Sequence, residues 1–320
     1  MQVSVITTVY NEEKTIGAFL DALLAQSQLP NEIVVADACS ADRTAEIVRG
    51  FGGRAVPVRL LVQPGNRSVG RNAAIRAARF PVIACSDAGC MADRDWLKNI
   101  VRPFEEKPGT TVVSGFCEAQ CKTLFEECTK ALMLSTRKEI DPATWLPSSR
   151  SVAFTREAWE TAGGYPEWLT MAEDTVFDKQ LLAAGHRFVF VPDAVVYWEP
   201  RPDLRGFFDQ YNGYSRSDGE GWIDAVAHIR RTLRVAVGAG ALVVGLVWLP
   251  LLMPVLALAA VYLTRRCLKV YRRLRSVRAF LLAWVLAVTY DLASVFGFWR
   301  GVLDRRLVPR RPGAAWNKGE

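Results

Sequence analysis

The chain has 320 residues, and half of them are hydrophobic, which is enough to bury one large or two small cores and excludes a disordered chain. The charge is unevenly divided. Residues 1–229 carry 24 Lys and Arg against 30 Asp and Glu, whereas residues 230–320 carry 16 against 3. The overall net charge of +7 therefore describes neither part of the molecule.

The first two thirds of the sequence alternate strand and helix patterns. Short β-branched runs predict strands, and apolar residues at helical spacing predict the helices between them. The predicted strands are residues 3–9, 32–36, 58–62 and 82–86, and the helices begin near residues 16, 44, 69 and 96. This order is typical of an α/β fold with a largely parallel sheet. The later segments are less regular: 111–116, 151–155, 188–191 and 195–198 are strand-like, 122–137 is amphipathic and 174–184 is helical.

Acidic residues follow two of these strands directly. Asp37 comes after the second strand, and Asp87 comes after the buried run at residues 82–86. In open α/β sheets, ligands bind beyond the carboxyl ends of the strands, where loops from several units meet. Both aspartates are therefore candidate ligand-binding residues, whereas Asp93 is interpreted as the N-cap of the helix near residue 96.

The basic part of the chain also contains the longest apolar runs. Residues 235–263 carry no charge over 29 positions, and residues 279–299 contain one acid, Asp291. Runs of this length are typical of membrane segments. The arginines that flank them fit anionic lipid headgroups better than nucleic acid, for which no stacking motif is present. Residues 206–234 mix aromatic and basic groups, as expected of an interfacial connector.

The membrane topology is left open by the sequence. With two full spans, the loop 264–278 and its seven basic residues would lie outside, against the positive-inside tendency. Pro250 and Pro254 divide the first run into halves of about 15 residues, each too short for a core of about 30 Å, so a re-entrant hairpin is the alternative. Asp291 is either protonated or hydrogen-bonded within a helix pair, and an ionisable group there is often functional.

No signal-peptide pattern precedes the first strand, so we expect the catalytic part to face the cytoplasm at the inner membrane. The seven cysteines form no CxxC pair, which indicates reduced, mostly buried thiols. A zinc site at Cys117, Cys121 and Cys128 would lack a fourth ligand.

Five short motifs occur in order along the alternating region. They are Thr8-Val9-Tyr10-Asn11-Glu12, Asp37 through Thr44, Gly70-Arg71-Asn72, Ser86-Asp87-Ala88-Gly89 with Trp96-Leu97, and Glu173-Asp174. Their order and spacing resemble those of family 2 glycosyltransferases with the GT-A fold, over roughly residues 1–200. The resemblance implies an enzyme that transfers a sugar from a nucleotide-diphosphate sugar.

The resemblance also implies roles for the residues of the donor site. Asp37 would accept the N–H of the base, with an Asx turn or a helix cap as the alternative, a role that suits Asp42 better. Thr8, Tyr10 and Glu12 would line the base and ribose pocket. Arg71 would offer its guanidinium to the diphosphate, with a surface ion pair as the alternative.

The metal-binding motif departs from the family's pattern. Family members carry DxD, whereas this chain has Asp87-Ala88-Gly89 and so lacks the second acid. Mg²⁺ or Mn²⁺ on a diphosphate can be held through one carboxylate with phosphate oxygens and water, so Asp87 is the predicted metal ligand. Asp93 or Asp95 is a candidate replacement for the missing acid.

Glu173-Asp174 resembles the acidic pair whose Asp is the general base in inverting members. The alternative is that both acids stabilise a helix start through the helix dipole. If the acceptor were a polyprenyl phosphate, its oxygen would already be anionic and no base would be required. The QxxRW motif of processive members is absent, which favours addition of one sugar, and a related acceptor or diphosphate role for Arg216 is an expectation only.

The sequence thus predicts four regions: a GT-A domain at 1–205, the connector at 206–234, transmembrane or re-entrant helices at 235–300 and a basic tail at 301–320. The predicted function is a membrane-associated inverting glycosyltransferase whose acceptor is lipid-linked or membrane-proximal, in cell-envelope glycan or glycolipid synthesis. The alternatives are a polyprenyl-phosphate glycosyltransferase, a nucleotidyltransferase and a catalytically degenerate membrane scaffold. A dinucleotide oxidoreductase is disfavoured because no GxGxxG follows the first strand.

Overall fold

A computed structural model describes residues 1–307. The chain divides into two compact units, the first formed by residues 1–122 with 134–200 and the second by residues 123–133 with those from 201 onward. Residues 123–133, which we expected within the catalytic domain, therefore cluster with the C-terminal helices. Positions 308–320 of the expected basic tail lie outside the described residues.

The elements follow the predicted alternation through the first unit. In chain order they are β1 (Val3–Val9), α1 (Ile16–Leu24), β2 (Glu32–Asp37), α2 (Thr44–Gly50), β3 (Val58–Val62), α3 (Arg67–Ala77), β4 (Val82–Cys85), β5 (Cys90–Ala92), α4 (Trp96–Glu106), β6 (Val112–Ala119), α5 (Leu124–Met133), β7 (Val152–Thr155), α6 (Arg156–Ala162), α7 (Glu173–Ala183), β8 (Phe188–Trp198), α8 (Leu204–Gly221), α9 (Ala225–Val247), α10 (Leu252–Leu274) and α11 (Val277–Leu307). Two 3₁₀ turns, Arg137–Glu139 and Leu249–Leu251, complete the described chain.

The eight strands form one mixed sheet in the order β3-β2-β1-β4-β7-β6-β8-β5. As predicted, β1 to β4 are parallel to one another. In the later part of the sheet, β6 is parallel to β8. The strands β5 and β7 run antiparallel to their neighbours. The parallel half places the ends of β1, β2 and β4 at one edge, because parallel strands end in the same direction.

The central strands are buried on both faces, and alternate residues of β1 enter different layers. Val3 and Val5 pack in a core that includes Phe19 of α1 and Trp96 of α4. Ile6 faces the opposite core, which includes Ile75 of α3 and helices α6 and α7. Helices thus cover both faces of the sheet, and this explains why β1 and β2 are near-continuous hydrophobic runs.

Several predicted elements differ from the observed ones. The runs 188–191 and 195–198 form a single strand, β8, because its pairing with β6 continues across a register shift between Ser114 and Phe116. The three-residue β5 and the short α6 were not predicted. The N-cap of α4 is Asp95 rather than Asp93, whose side chain instead accepts a hydrogen bond from the Asp95 N–H at 3.1 Å. The connector at 206–234 consists of α8 and the start of α9.

The second unit is organised around α11. One face of α11 packs with α5, α8 and α10 in a common core. Its contact with α8 is close, because a Cβ at Gly301 would lie 1.9 Å from the Arg216 carbonyl oxygen. The opposite face carries an exposed apolar stripe that recurs every three or four residues: Val277, Leu281, Val285, Val288, Leu292, Phe296, Trp299 and Leu303.

Helices α9 and α10 form an antiparallel hairpin that reverses at Leu249–Leu251. Its tip is apolar and exposed, with 84% of Val247 and 73% of Met253 accessible. By length and composition, Leu249–Leu274 and Val277–Arg305 are each long and apolar enough to cross a membrane. The uncharged part of each hairpin leg is about 13 residues, or about 20 Å of helix.

Asp291 lies on α11 beside two arginines from the hairpin. Its carboxylate forms ion pairs with Arg231 of α9 and Arg266 of α10. The side chain is 14% exposed. Of the two interpretations drawn from the sequence, the structure matches the one in which Asp291 bonds to neighbouring helices, and the partners are guanidinium groups.

Candidate active site

Hydrogen bonds join the loop that follows β1 to the loop that follows β2. The Asn11 N–H donates to Ser40 Oγ at 2.9 Å, and Asn11 Oδ1 accepts from the Ala41 N–H at 2.9 Å. The Glu12 N–H donates to Thr44 Oγ1 at 2.8 Å. Asn11 has φ 55°, in a left-handed region that non-glycine residues rarely adopt and that clusters at functional sites. This pair of loops carries the predicted base and ribose residues.

Asp37 ends β2 and is almost fully buried. Its Oδ1 accepts hydrogen bonds from the Ser40 N–H at 3.1 Å and the Ser40 hydroxyl at 2.5 Å. Ser40 lies three residues after Asp37, whereas an Asx turn bonds the residue two positions on, so the Asx-turn alternative does not describe Asp37. Asp42 accepts from the Thr44 N–H at 3.0 Å, two residues on, which is the Asx-turn geometry predicted for it, and it lies directly before Arg43, the N-cap of α2. The base-binding role of Asp37 stays a prediction.

Gly70 permits close approach between α3 and the end of β1. A Cβ at this position would lie 2.8 Å from Thr8 Cγ2. Two residues further on, Asn72 donates to the Tyr165 carbonyl and accepts from the Tyr165 N–H, both at 2.9 Å. The Gly-Arg-Asn motif therefore holds α3 against β1 on one side and the segment before α7 on the other. Tyr10 and Glu12 lie further out, and Tyr10 is exposed.

Arg71 lies between these two contacts and is buried. Its Nη1 donates to Glu173 Oε1 at 2.5 Å, and its Nη2 donates to Asp87 Oδ1 at 2.8 Å. Its Cζ lies 5.3 Å from the centroid of the Tyr165 ring. The ion pair of the alternative is thus observed, but Arg71 and Glu173 are buried and do not lie at the surface. The diphosphate role of Arg71 stays a prediction, and in the structure its partners are carboxylates.

Glu173 and Asp174 form the first turn of α7, as the helix-start interpretation expected. The residue before them, Ala172, has φ 58° and so adopts a strained left-handed conformation. Arg71 bonds Glu173 and leaves Asp174 outside the ion pair. Burial and the negative charge of Glu173 raise the pKa of Asp174, against the lowering effect of Arg71. A carboxylate with a raised pKa beside a strand-end site suits a general base.

Asp87 follows β4 and is partly exposed. Burial raises its pKa, but the charges of Arg71, Arg150 and Arg67 outweigh burial, and the pKa lies below its usual value. Within residues 1–307, no three His, Cys, Asp or Glu side chains lie close enough to hold a metal ion. Arg71 bonds only Oδ1, so Asp87 Oδ2 fits a cation whose other ligands come from a diphosphate and water.

The other candidate residues lie elsewhere. Asp93 accepts from the Tyr197 hydroxyl at 3.3 Å and Asp95 accepts from the Ser27 hydroxyl at 2.5 Å, so both have local partners. Arg216 belongs to the second unit, where it pairs with Asp304 at 2.9 Å and Glu220 at 3.2 Å. Its predicted acceptor or diphosphate role is not tested by these contacts.

Sequence reasoning missed Asp178, one helical turn after Asp174. Asp178 is buried and its Oδ2 has no hydrogen-bond partner among the described residues. Burial and the negative charge of Asp174 raise the pKa of Asp178 well above its usual value. The available signal was the i, i+4 spacing of two acids on one predicted helix face.

Acids and arginines gather beyond the ends of the parallel strands of this open α/β sheet. This places the protein in the class of α/β enzymes that bind their ligand at that edge of the sheet. Residues 4–151 match the model of glycosyl transferase family 2. The chain is 27% identical to the succinoglycan biosynthesis protein ExoA of Rhizobium meliloti over 94% of this chain and 95% of that protein. It is 22% identical to the O-antigen chain rhamnosyltransferase RfbN of Salmonella typhimurium, over 65% and 71%.

Solved structures share the fold. The mannosyltransferase PcManGT of Pyrobaculum calidifontis, solved with GDP-Man and Mn²⁺, matches with a TM-score of 0.57 at 22% identity, over 95% of this chain and 87% of that chain. S. aureus TarS 1–349 with UDP-GlcNAc matches with a TM-score of 0.52 at 18% identity, over 96% and 92%. Residues 4–151 therefore form a glycosyl transferase family 2 domain, the fold is GT-A, and the chain is a glycosyltransferase. The predicted family, fold class and enzyme class are confirmed.

We expect Arg71→Ala to lower the free energy of unfolding by about 3–5 kcal/mol, because it leaves the carboxylates of Asp87 and Glu173 without their buried partner. Chemical denaturation measures this loss. Arg76→Ala is the matched control on the same helix, since Arg76 is exposed and pairs with Glu167 at 3.6 Å. The control should cost less than about 1 kcal/mol. Equal losses would contradict a special role for the Arg71 pair.

We expect Asp178→Asn to gain stability relative to the wild type as pH rises. The raised pKa keeps Asp178 protonated in the folded state while the unfolded chain ionises above about pH 4, so wild-type stability falls as pH rises through this window. The near-isosteric amide removes that dependence, a difference of about 1.4 kcal/mol per pH unit. Denaturation at pH 5, 6 and 7 measures it, and parallel curves would show that Asp178 is ionised.

Proposed function

We propose that this protein is a membrane-associated inverting glycosyltransferase that moves one sugar from a nucleotide-diphosphate sugar to a lipid-linked or membrane-proximal acceptor. The product would be a cell-envelope glycan or glycolipid. The names of ExoA and RfbN, which refer to succinoglycan and O-antigen synthesis, support this assignment. The first unit would carry the catalysis on the cytoplasmic side of the inner membrane.

The observation that carries the proposal is the position of Asp174. It lies beside the Arg71–Glu173 ion pair, is not part of that pair and has a raised pKa. In the proposed reaction, the acceptor hydroxyl oxygen attacks the anomeric carbon from the face opposite the nucleotide. Asp174 takes the hydroxyl proton as the new carbon–oxygen bond forms, which inverts the configuration of that carbon.

The departing group would be a nucleoside diphosphate that leaves with the electron pair of the broken bond. Arg67 and Arg150, whose charges act on Asp87, provide positive potential near its oxygens. A divalent cation held by Asp87 would neutralise part of the diphosphate charge. PcManGT was solved with Mn²⁺ and a nucleotide sugar, which supports Mg²⁺ or Mn²⁺ as the cofactor.

The donor pocket would be completed by the loops after β1 and β2. Asp37, Thr8, Tyr10 and Glu12 surround the end of these two strands, and Asp37 is the candidate partner for the base. The Ser40 N–H and hydroxyl orient its carboxylate, and a carboxylate oxygen can accept a further hydrogen bond. The contacts with Ser40 are therefore compatible with the base-binding role and fix the direction of the side chain.

The second unit would attach the enzyme to the membrane through the α9–α10 hairpin and the apolar stripe of α11. Each uncharged leg of the hairpin is about 20 Å long, shorter than a hydrocarbon core of about 30 Å. A hairpin that enters and leaves on the same side needs no long legs and keeps the basic residues at its base in water. We therefore favour re-entrant insertion over two full spans for this segment.

We expect Asp174→Asn to lower the rate of sugar transfer by about 10²–10⁴-fold, because an amide cannot accept the hydroxyl proton. The assay is nucleoside-diphosphate release by the purified full-length protein from UDP-, GDP- and TDP-sugars, with and without Mn²⁺, with extracted membrane lipids as acceptor. The donor KM should change little, since Asp174 acts on the acceptor.

Asp21→Asn on the exposed side of α1 is the control for this assay and should retain wild-type rates. Full turnover by Asp174→Asn would contradict the base assignment and point to an anionic phosphate acceptor, which needs no base. Nucleotide-sugar binding without release by the wild type would favour a degenerate scaffold.

We expect Val247→Asp at the hairpin tip to weaken membrane association by about 100-fold, because a charge within the hydrocarbon costs about 2.5–3.5 kcal/mol. Val226→Asp is the matched control, since Val226 is 61% exposed but lies at the first turn of α9, outside the apolar tip. Flotation with liposomes measures both. Equal flotation of the two variants would exclude insertion of the tip.

A further inference from the structure

The α9–α10 hairpin brings together arginines from both ends of an uncharged run. Arg231 and Arg234 precede the run, and Arg265 and Arg266 follow it. Because the hairpin reverses at Leu249–Leu251, the two pairs of arginines lie close together. Together with Tyr262, the four arginines line an open cavity of about 460 Å³, which we call the arginine pocket.

One acid and one tyrosine on α11 hold two of these arginines. Asp291 contacts Arg231 and Arg266, and the Tyr290 hydroxyl accepts from Arg231 Nη2 at 3.1 Å. The Tyr290 ring lies 4.7 Å from Arg231 Cζ and 5.6 Å from Arg266 Cζ. The pocket is thus lined by α9 and α10, and side chains of α11 hold two of its arginines in position.

The charge of the pocket is not balanced. Asp291 is the only acid among these contacts, so four guanidinium groups leave a surplus of about three positive charges. In the described part of the chain, Arg234 and Arg265 form no ion pair or hydrogen bond. Arg231 Nε and Asp291 Oδ1 are buried and lie 3.5 Å apart without forming a hydrogen bond. The positive charges of the four arginines that line this cavity repel one another, so an anion bound in the cavity would lower their electrostatic energy.

The donors in the pocket suit a phosphate group. Guanidinium groups present planar pairs of N–H donors that match phosphate oxygens. The Tyr262 hydroxyl is a further donor at the rim. None of the lysines within residues 1–307 lines the pocket, so the recognition depends on oriented donors rather than on a mobile point charge.

The surroundings of the pocket select a phosphate that is attached to a lipid. Beyond the arginines, both legs of the hairpin are apolar and exposed, with 70% of Val237 and 71% of Leu258 accessible. A soluble phosphate would contact only the arginines, whereas a lipid would also cover these apolar walls. Basic clusters at the edge of a membrane segment attract anionic lipids for the same reason.

We propose that the arginine pocket is a binding site for the phosphate group of a membrane lipid, with the hydrocarbon chain of that lipid lying along the exposed legs of α9 and α10. The proposal rests on the membrane attachment proposed above and does not depend on the transfer chemistry. Arg234 and Arg265 are the phosphate ligands, and Asp291 and Tyr290 position Arg231 and Arg266.

The test is flotation of the full-length protein with vesicles of three compositions: phosphatidylcholine alone, phosphatidylcholine with phosphatidylglycerol, and phosphatidylcholine with oleate at the same surface charge. The wild type should prefer the phosphatidylglycerol vesicles to the oleate vesicles by about tenfold. The double variant Arg234→Gln/Arg265→Gln should lose this preference and still bind phosphatidylcholine vesicles through the hairpin tip.

The matched control is Arg272→Gln/Arg278→Gln, which removes the same charge from exposed positions outside the pocket and should keep the preference. An equal loss in both double variants, or an equal preference for oleate, would overturn the proposal in favour of surface charge alone. Thermal unfolding checks that the pocket variant is folded. If the wild type binds no vesicles at all, the membrane attachment itself fails, which is a different result.

Competition identifies the source of the phosphate. Added polyprenyl phosphate that displaces phosphatidylglycerol at stoichiometric amounts would support the site and show that its lipid is an isoprenoid. Displacement by millimolar inorganic phosphate would overturn the lipid requirement, because the apolar legs would then contribute nothing. Displacement by neither would support a phospholipid headgroup as the ligand.

Discussion

The active-site edge of this protein depends on one buried guanidinium group. Arg71 joins three separate elements, since it belongs to α3 and bonds Asp87 after β4 and Glu173 at the start of α7. A buried charge is stable only when it is paired, so the pairing requires all three elements to hold their positions. Gly70 and Asn72 on either side of Arg71 fix α3 against β1 and the segment at Tyr165. Three consecutive residues thus determine where the acids of the site lie.

The arrangement also explains why two adjacent acids have different environments. Glu173 forms an ion pair with Arg71, whereas Asp174 lies outside that pair. Burial and the negative charge of Glu173 raise the pKa of Asp174. The same neighbour that anchors the site therefore makes Asp174 a better proton acceptor. Asp178 extends this effect one turn further, because burial and the negative charge of Asp174 raise its pKa.

Much of the fold was predictable because its signals are local. The near-continuous hydrophobic runs of β1 and β2, the helical spacing in α1 and α4, and the polar residues after each strand all depend on near neighbours. The partners of Arg71 were not predictable, because Glu173 is 102 residues away and no local pattern relates the two. The short strand β5 was not predictable either, because three residues carry no periodicity and β5 forms through its pairing with β8. The Arg231–Asp291 contact was not predictable, because it depends on the hairpin reversal, which the sequence offered only as one of two alternatives.

The membership of α5 in the second unit has a consequence for the order in which the chain acquires its structure. Cys128 of α5 contacts the Ala279 carbonyl oxygen, and Ala131 accepts from Arg273, so both partners are made about 140 to 150 residues later. The first unit has most of its partners once residue 200 has left the ribosome. Helix α5 must instead wait, with its apolar face uncovered, until α10 and α11 have been synthesised. A truncation that keeps only residues 1–200 would leave that face permanently without its partners, so the catalytic unit is not separable by a single cut.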